Sequence, residues 1–504
     1  MSAQTLQAIS GGDSDSRLAK LYWATVAGLV LLLWSAPAIP TQDGPSHLYN
    51  LALIGDLLGD APLRATFHRL DFDTVTNFGF IALGLPLAKV VPLWAVERIV
   101  LTLHILLLSL FATLWLAQCD RRVYPAAWVA LAYSLPWSLF MGFYGYQLAA
   151  DVTLLAICLA WKLRDGAIHR VALSNLGAGA LVLFFHAVPA ALFAGLLAII
   201  QLTSRDAPIG KRLLRAAISG LPLLALVWMV IASGGESANP EWRAPEYILL
   251  FLITFGTLTF STQLSTCLLV TLGWVLLCLP GSEPRRRDHA MRFAMTSGAF
   301  LAALHLLVPD VMGGGGYLTG RFAWWIPLLM LPVLGTGPAL GGRIPRDWIP
   351  AALAVISIGS TAFSAAPSAR VVAEVEQAAA VHQVSGTLAG AIFDRTPKSS
   401  AMIQPLRHVA SLFVQKRGTL ITNYQPRVAF FPIRFSEQAE AQFPEVDINS
   451  AWLTDWGRLP ISALVAIDAQ PADRTILETR FKSIWIDQSK RVELWHRRQE
   501  IELK

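Results

Sequence analysis

The sequence predicts a polytopic α-helical membrane protein, with about 11 transmembrane helices and a C-terminal mixed α/β domain outside the membrane. The chain has 504 residues, of which 54% are apolar and only 15% charged. A soluble globule of this length would need more polar surface. Charge is concentrated at one end, because 17 of the 40 basic and 15 of the 34 acidic residues lie from Arg370 onward. The last part of the chain is therefore predicted to be exposed to water.

Clusters of basic residues separate the apolar segments and mark the cytoplasmic side of the membrane. Where two such clusters are about 38 residues apart, the chain must cross twice, so 123–161 and 171–204 are each predicted to be a hairpin of two short spans. The other predicted spans are 21–39, 97–118, 216–233, 264–280, 293–308, 322–340 and 348–364. The remaining apolar segment, 247–262, is predicted to be an interfacial or re-entrant helix. A further crossing there would put the basic cluster that follows on the wrong side of the membrane.

These crossings divide the chain into a cytoplasmic tail (1–20), a membrane domain (21–364) that includes a long outer loop (40–92), and an extracytoplasmic domain (365–504). In the last of these, 373–393 has a helical pattern and 418–422, 462–467 and 481–495 have strand patterns. The N-terminal segment ending at Ala36-Pro37-Ala38 also fits a cleaved signal peptide. In either case, the chain after residue 39 emerges on the far side of the membrane.

Composition argues against two other classes of protein. The net charge of +6 comes from short loops between spans, where it reports orientation and not a nucleic-acid surface. The four cysteines lie in or beside apolar spans, and their spacing matches neither a disulfide framework nor a zinc site.

The stretch Pro40–Asn50 is the most informative part of the sequence, because it places Asp43 and His47 directly after the first span. Asp43 precedes Gly44-Pro45 and could simply cap the helix that begins there. His47 lies four residues on and would share Asp43's side of the first turn. This spacing permits either an acid–base pair or a pair of metal ligands, so a divalent metal stays possible.

Other polar residues are predicted at the same outer ends of spans. Tyr144 lies in an outer turn, and Asp151 lies one turn into its span, where an acid is usually functional unless it reaches the interface. His186 breaks a hairpin and could serve a site or only packing. Residues far apart in sequence would thus lie at the same depth in the membrane, as the residues of one site must.

A phosphate contact is predicted near the glycine run Gly313–Gly316, which lets a ligand approach the backbone, and near Tyr317 and Arg321. Arginine offers a permanent fork of donors for phosphate, although a flexible loop with an interfacial arginine would have the same sequence. Arg407 and His408, at the start of the C-terminal domain, could close this pocket from above or form an ordinary solvated face.

Several motifs together resemble a known family. They are Pro-x-x-Asp43-Gly-Pro-x-His47-Leu after the first span, the turn Met-Gly-Phe-Tyr144, the hairpin Phe-His186, and Pro-Asp with a glycine run before Tyr317-x-x-Gly-Arg321. In these the chain resembles bacterial integral-membrane glycosyltransferases of the C type (GT-C). These enzymes are related to protein O-mannosyltransferases, oligosaccharyltransferases and the lipid A aminoarabinose transferase.

This resemblance implies that the donor is a sugar on a polyprenyl phosphate and that Asp43 is the catalytic base. It further implies an inverting transfer to a glycan, lipid or protein acceptor by a multi-pass protein of the bacterial inner membrane, with a periplasmic C-terminal domain. His47, Tyr144, Asp151, His186, Arg407 and His408 would line the pocket. The chain departs from better-known members at Gly44, where they carry a second acidic residue close to the first.

Two other classes of function are compatible with this sequence. A lipid or glycan transporter would also need a groove, but it should show paired halves and polar groups at mid-membrane. A non-catalytic membrane anchor for the outer domain would have no need of Asp43 or the other clustered polar residues.

Overall fold

The computed structural model describes residues 13–59, 62–73, 76–205, 207–233, 239–278, 288–311, 316–334, 348–393, 402–428, 430–443 and 461–498. Nineteen α-helices lie in these ranges. In chain order they are α1 Asp13–Ser35, α2 Gly44–Leu58, α3 Pro62–Phe67, α4 Gly79–Ala88, α5 Leu93–Gln118, α6 Val123–Ala132, α7 Trp137–Phe140, α8 Tyr144–Leu163, α9 Ile168–Phe185, α10 Ala187–Thr203, α11 Ile209–Ser233, α12 Pro245–Ile253, α13 Leu264–Cys278, α14 His289–Leu307, α15 Leu318–Ala323, α16 Trp325–Leu329, α17 Ile349–Val381, α18 Glu437–Gln442 and α19 Pro471–Glu478.

The helical part of the chain confirms the predicted polytopic membrane protein. Eight helices in the described ranges are long and apolar enough to cross a membrane, and each matches a predicted span. Three more predicted spans correspond to shorter apolar helices, at Val123–Ala132, Ala187–Thr203 and Leu318–Val333. The segment predicted to be interfacial or re-entrant contains α12, a nine-residue helix that ends in a turn with left-handed φ angles at Phe255 and Gly256.

The segment predicted to be a long outer loop contains helices and a strand, and it packs between the membrane helices and the C-terminal domain. It contains α2, α3, the strand β1 (His68–Leu70) and the apolar helix α4. On α2, Tyr49 and Leu53 share a buried cluster with Val372 of α17 and Phe413 of the C-terminal domain. Strand β1 pairs antiparallel with β4 (Ile433–Phe435). The loop therefore joins the two predicted parts of the molecule.

The C-terminal domain is a five-stranded mixed sheet with two short helices. Its strands are β2 (Thr387–Ile392), β3 (Thr419–Leu420), β5 (Ala463–Ile467), β6 (Phe481–Ile486) and β7 (Val492–Arg497), in the order β3-β2-β5-β7-β6. β2 runs parallel to β3 and β5, whereas β7 is antiparallel to β5 and β6. This confirms the predicted mixed α/β fold, and the strand pattern at 481–495 corresponds to the antiparallel pair β6 and β7.

The helix predicted over 373–393 is wrong in its second half. Helix α17 runs without a break from Ile349, past the predicted domain boundary at 364, and ends at Val381. The chain then enters β2, where the backbone at Gly386 packs so closely on Ser462 that a Cβ atom there would overlap its hydroxyl. Partner strands on both sides of β2 override the helical pattern of its alanines, which local sequence cannot reveal.

Candidate functional site

A tight turn holds the backbone of Asp43 in place. The N–H groups of Gln42 and Asp43 donate to the carbonyl oxygens of Phe140 (2.8 Å) and Met141 (3.0 Å). Gly142 follows with a φ of 83°, and a Cβ atom there would lie 2.6 Å from the nitrogen of Gly44. Only glycine permits both the conformation and the contact. The Met-Gly-Phe-Tyr turn therefore holds the Asp43 segment by backbone hydrogen bonds and by close packing at Gly142.

The side chain of Asp43 does not cap helix α2, although Asp43 occupies the N-cap position. Asp43 is 93% buried, and its carboxylate accepts from the side-chain amide of Gln42 (3.2 Å) and from the hydroxyl of Tyr424 (3.3 Å). Nε2 of His408 lies 3.4 Å from the other side of the carboxylate, at Oδ1. The capping explanation for this residue therefore fails.

The groups around Asp43, above all His408, lower the pKa of its carboxylate. Burial alone raises the pKa of Asp43, but the hydrogen bond and charge of His408, the charge of His47 and the bond from Gln42 together lower it below the ordinary value. Burial also lowers the pKa of His47 to about 4, although the charge of Asp43 opposes that shift. At neutral pH the site thus holds a carboxylate beside a neutral imidazole.

His47 faces the same space as Asp43 but is held by other groups. The side-chain amide of Gln425 donates to its Nδ1 (3.0 Å), so the neutral ring carries its proton on Nε2. The rings of Phe80, Tyr144 and Phe431 surround it at 5.7 to 5.9 Å. In the described part of the chain, no group of three or more His, Cys, Asp or Glu side chains could hold a metal ion.

A second buried carboxylate, Glu97 on α5, lies against Gly44 and was not predicted as a site residue. It accepts hydrogen bonds from the hydroxyl of Tyr144 and from Oγ1 of Thr41 (3.2 Å). A Cβ atom at Gly44 would overlap Thr41 and lie 2.7 Å from Glu97 Oε1. In the sequence, the pair Glu97-Arg98 indicated only where a span begins.

Arg321 and His186 form a pair of donors without an acidic partner. The Arg321 side chain is 93% buried, its Nε has no hydrogen-bond partner, and no ion pair to it exists in the described ranges. The rings of Phe143 and Tyr146 lie 4.3 and 4.9 Å from the guanidinium carbon. Its Nη1 is 3.4 Å from Nε2 of His186.

The proton on His186 can be placed from its other nitrogen. The backbone N–H of Val188 donates to Nδ1 (3.1 Å), so the neutral ring carries its proton on Nε2, toward Arg321. The surrounding protein and the charge of Arg321 lower the pKa of His186 well below its ordinary value. Two donors therefore point into one region, and among the described residues no acceptor is bonded to the Arg321 Nε or to the His186 Nε2–H, an arrangement that suits an anion.

A cavity of about 680 Å³ connects these groups. Six of the residues predicted to form the site line it: Asp43, His47, Tyr144, His186, Tyr317 and Arg321. Tyr424, Gln425 and Phe431 cover it from the C-terminal domain. Of the predicted glycine run, Gly316 lines the cavity, and 313–315 lie outside the described residues.

One group of the residues that line the cavity is apolar and comes from α10, α11, α14 and the residue after α14: Ala187, Val188, Ala191, Leu192, Gly195, Leu224, Phe300, Leu304 and Val308. We call the part of the cavity that these residues line the apolar arm. Leu224 is 42% exposed, and the same helix, α11, carries the exposed apolar side chains of Leu221 and Trp228. The helix beside the arm therefore has a surface suited to lipid.

Three predicted pocket residues have other surroundings. Asp151 does not line the cavity; its carboxylate is fully buried between helices and bonded to Nδ1 of His104 (2.9 Å), whose Nε2 bonds to Ser134 O (2.8 Å). This closed pair leaves it no contact with a ligand. Arg407 is half-buried and does not line the cavity, and His408, whose Nε2 lies 3.4 Å from Asp43 Oδ1, is buried and does not line it either.

No family model matches the sequence, and no curated protein matches it either. Among solved structures, the chain is similar to the cryo-EM structure of the arabinofuranosyltransferase AftD from Mycobacteria, with 16% identity and a TM-score of 0.47 over 95% of this chain. A mutant form of the same enzyme gives 15% identity and a TM-score of 0.39. The chain spans about two-fifths of the length of that enzyme, since 40% of it is covered.

Proposed function

We propose that this chain is a glycosyltransferase that moves a sugar from a polyprenyl-phosphate donor to an acceptor hydroxyl at the outer face of a bacterial inner membrane. The observation that carries the proposal is a single cavity that joins a buried carboxylate, a buried arginine without an acidic partner, and an apolar arm. The sugar is a hexose or a pentose, and the acceptor is a glycan, a lipid or a protein.

The two ends of the cavity match the two ends of such a donor. The apolar arm along α10, α11 and α14 takes the first isoprene units, with the rest of the chain in the bilayer. Arg321, His186 Nε2–H and the hydroxyl of Tyr317 bind the phosphate oxygens. The buried guanidinium lacks a counter-charge until the phosphate arrives, so binding relieves the cost of burying it.

Asp43 acts at the anomeric carbon as general base. The acceptor oxygen attacks that carbon while its proton passes to the Asp43 carboxylate, and the bond between the carbon and the phosphate oxygen breaks. The electron pair leaves with polyprenyl phosphate, whose negative charge Arg321 and His186 stabilise. A single displacement inverts the configuration at the anomeric carbon. The lowered pKa keeps Asp43 ionised at neutral pH.

The test is transfer of labelled sugar by the purified chain from a panel of short-chain polyprenyl-phosphate donors, with and without a chelator. Asp43→Asn should lower transfer by about 100-fold or more, because a positioned base contributes 10²–10⁴-fold. Arg321→Gln should raise the donor KM and also lower kcat, since the same contacts strengthen as the phosphate departs. Asp73→Asn is the matched control, because Asp73 is an exposed acid of the same outer loop.

Each outcome has a defined meaning. Wild-type levels of transfer by Asp43→Asn would rule out Asp43 as the base. Loss of transfer on chelation would add a metal to the mechanism and would favour Asp43 and His47 as its ligands. If wild type consumes none of the donors, the proposal of a polyprenyl-phosphate transferase is overturned for the sugars in the panel.

A further inference from the structure

We propose that the C-terminal domain supplies two positioning residues for this reaction, Tyr424 and His408, which hold the carboxylate of Asp43 in its working orientation. This inference rests on the proposed function, with Asp43 as the base. It gives the C-terminal domain a direct part in the transfer step, in place of a separate binding role.

The contacts on Asp43 are divided between its two oxygens. The hydroxyl of Tyr424 donates to Oδ2 at 3.3 Å, and Nε2 of His408 lies 3.4 Å from Oδ1. The two rings lie against each other with centroids 5.1 Å apart. Because a carboxylate oxygen has two lone pairs and Oδ1 also accepts from the side-chain amide of Gln42 (3.2 Å), only Oδ2 keeps one for a substrate hydroxyl. Rotation of the carboxylate would break both contacts, so the pair fixes its plane.

Tyr424 remains a donor under working conditions. Burial and the negative charge of Asp43 raise its pKa well above the ordinary value, so the phenol keeps its proton. Tyr424 is half-buried and lines the cavity, whereas His408 is 94% buried and does not line it. The two residues thus approach Asp43 from the wall of the cavity and from the protein interior.

The segment that carries Tyr424 is itself fastened to helix α2, the helix that follows Asp43. The side chains of Asn423 and Asn50 exchange hydrogen bonds of 2.7 and 3.3 Å. The amide of Gln425 donates to His47 (3.0 Å). The residues on both sides of Tyr424 are therefore anchored to α2, within two turns of Asp43. Such support from neighbouring residues is what keeps a reacting group within a fraction of an ångström of its place.

Tyr49 is the comparison for Tyr424, because Tyr49 supports the same interface but has no contact with Asp43. Its hydroxyl accepts from the backbone N–H of Leu420 (3.1 Å) in the same interface between α2 and the C-terminal domain. Tyr49 is fully buried and does not line the cavity. Tyr49→Phe therefore removes a hydrogen bond from this interface without touching Asp43.

The experiment compares Tyr424→Phe, His408→Ala, His408→Gln and Tyr49→Phe in the full chain. The assay uses the short-chain polyprenyl-phosphate sugar that wild type consumes fastest. For Tyr424→Phe and His408→Ala, kcat should fall about 10- to 100-fold, because small misplacements of a catalytic group have effects of this size. The donor KM should stay within about twofold, since Arg321 and His186 are untouched. His408→Gln keeps a side-chain N–H donor and should recover part of the loss.

The control and the reference variant separate the possible failures. Tyr49→Phe should keep the wild-type kcat; if it loses as much as Tyr424→Phe, the interface matters only for folding and the inference is wrong. If Asp43→Asn is inactive while Tyr424→Phe and His408→Ala keep the wild-type kcat, the inference is wrong and the proposed function stands. If Asp43→Asn is as active as wild type, Asp43 is not the base and the inference is wrong with that assignment, whereas a wild type that consumes none of the donors overturns the proposed function itself.

Discussion

Gly44 shows how a single residue shapes the site. The resemblance to C-type glycosyltransferases would favour a second acid close to Asp43, but no side chain fits at residue 44. A Cβ atom there would overlap Thr41 Oγ1 and lie 2.5 Å from the hydroxyl of Tyr144. The carboxylate of Glu97 is already bonded to both of those groups. The second carboxylate near Asp43 therefore comes from helix α5.

Gly44→Ala should accordingly disrupt this cluster. The added methyl group has to displace Thr41, Tyr144 or Glu97, and overpacking of a buried site costs about 1–3 kcal/mol. We expect a lower melting temperature and loss of sugar transfer. Gly28→Ala is the control, because no atom lies within 4 Å of a Cβ atom at that position of α1. Its added methyl group should leave stability unchanged or raise it slightly. Equal melting temperatures for the two variants would contradict this account of residue 44.

At the level of elements, helix α10 forms one side of the apolar arm, and its packing predicts how donors of different length behave. Ala191 lines the arm, so Ala191→Trp should narrow it where the first isoprene units pass. The donor KM should rise several-fold for a long-chain polyprenyl phosphate and much less for a water-soluble short-chain analogue. Leu181→Trp is the control, because Leu181 is 51% exposed on α9 and outside the arm. An equal rise in KM for both donors would show that the arm does not hold the chain.

The elements also show what the sequence could and could not reveal. The apolar segments and basic clusters were enough to predict the spans, because a membrane selects strongly for both. They also predicted that the hairpins containing α6 and α10 would have short spans, but they did not predict that the span within 322–340 would be a short apolar segment, Leu318–Val333. Asp43, His186 and Arg321 could be grouped because they share one depth. Glu97 and Tyr424 could not, since only tertiary packing brings α5 and the C-terminal domain to Asp43. Asp151 was predicted as a pocket residue from its position, but its partner His104 lies on a different helix.

At the scale of the whole molecule, the proposed function requires that Asp43 and the C-terminal domain lie on the outer side. Asp43 and the C-terminal domain must lie on the same side of the membrane, because Tyr424 and His408 are within hydrogen-bonding or ion-pair distance of Asp43. The cytoplasmic side is then the end that carries Asp165 and the basic residues around it, as positive-inside bias predicts.

This orientation can be measured with a membrane-impermeant maleimide on intact cells. The native thiols give little background, since Cys119, Cys158 and Cys267 are buried and Cys278 is partly buried. Lys482→Cys introduces an exposed thiol on β6 and should be labelled from outside. Asp165→Cys, exposed between α8 and α9, should be labelled only after the membrane is permeabilised. The reverse pattern would put Asp43 on the cytoplasmic side and exclude transfer at the outer face. Labelling of both sites in intact cells would show leaky membranes, and labelling of spheroplasts with a larger reagent would then decide between the two orientations.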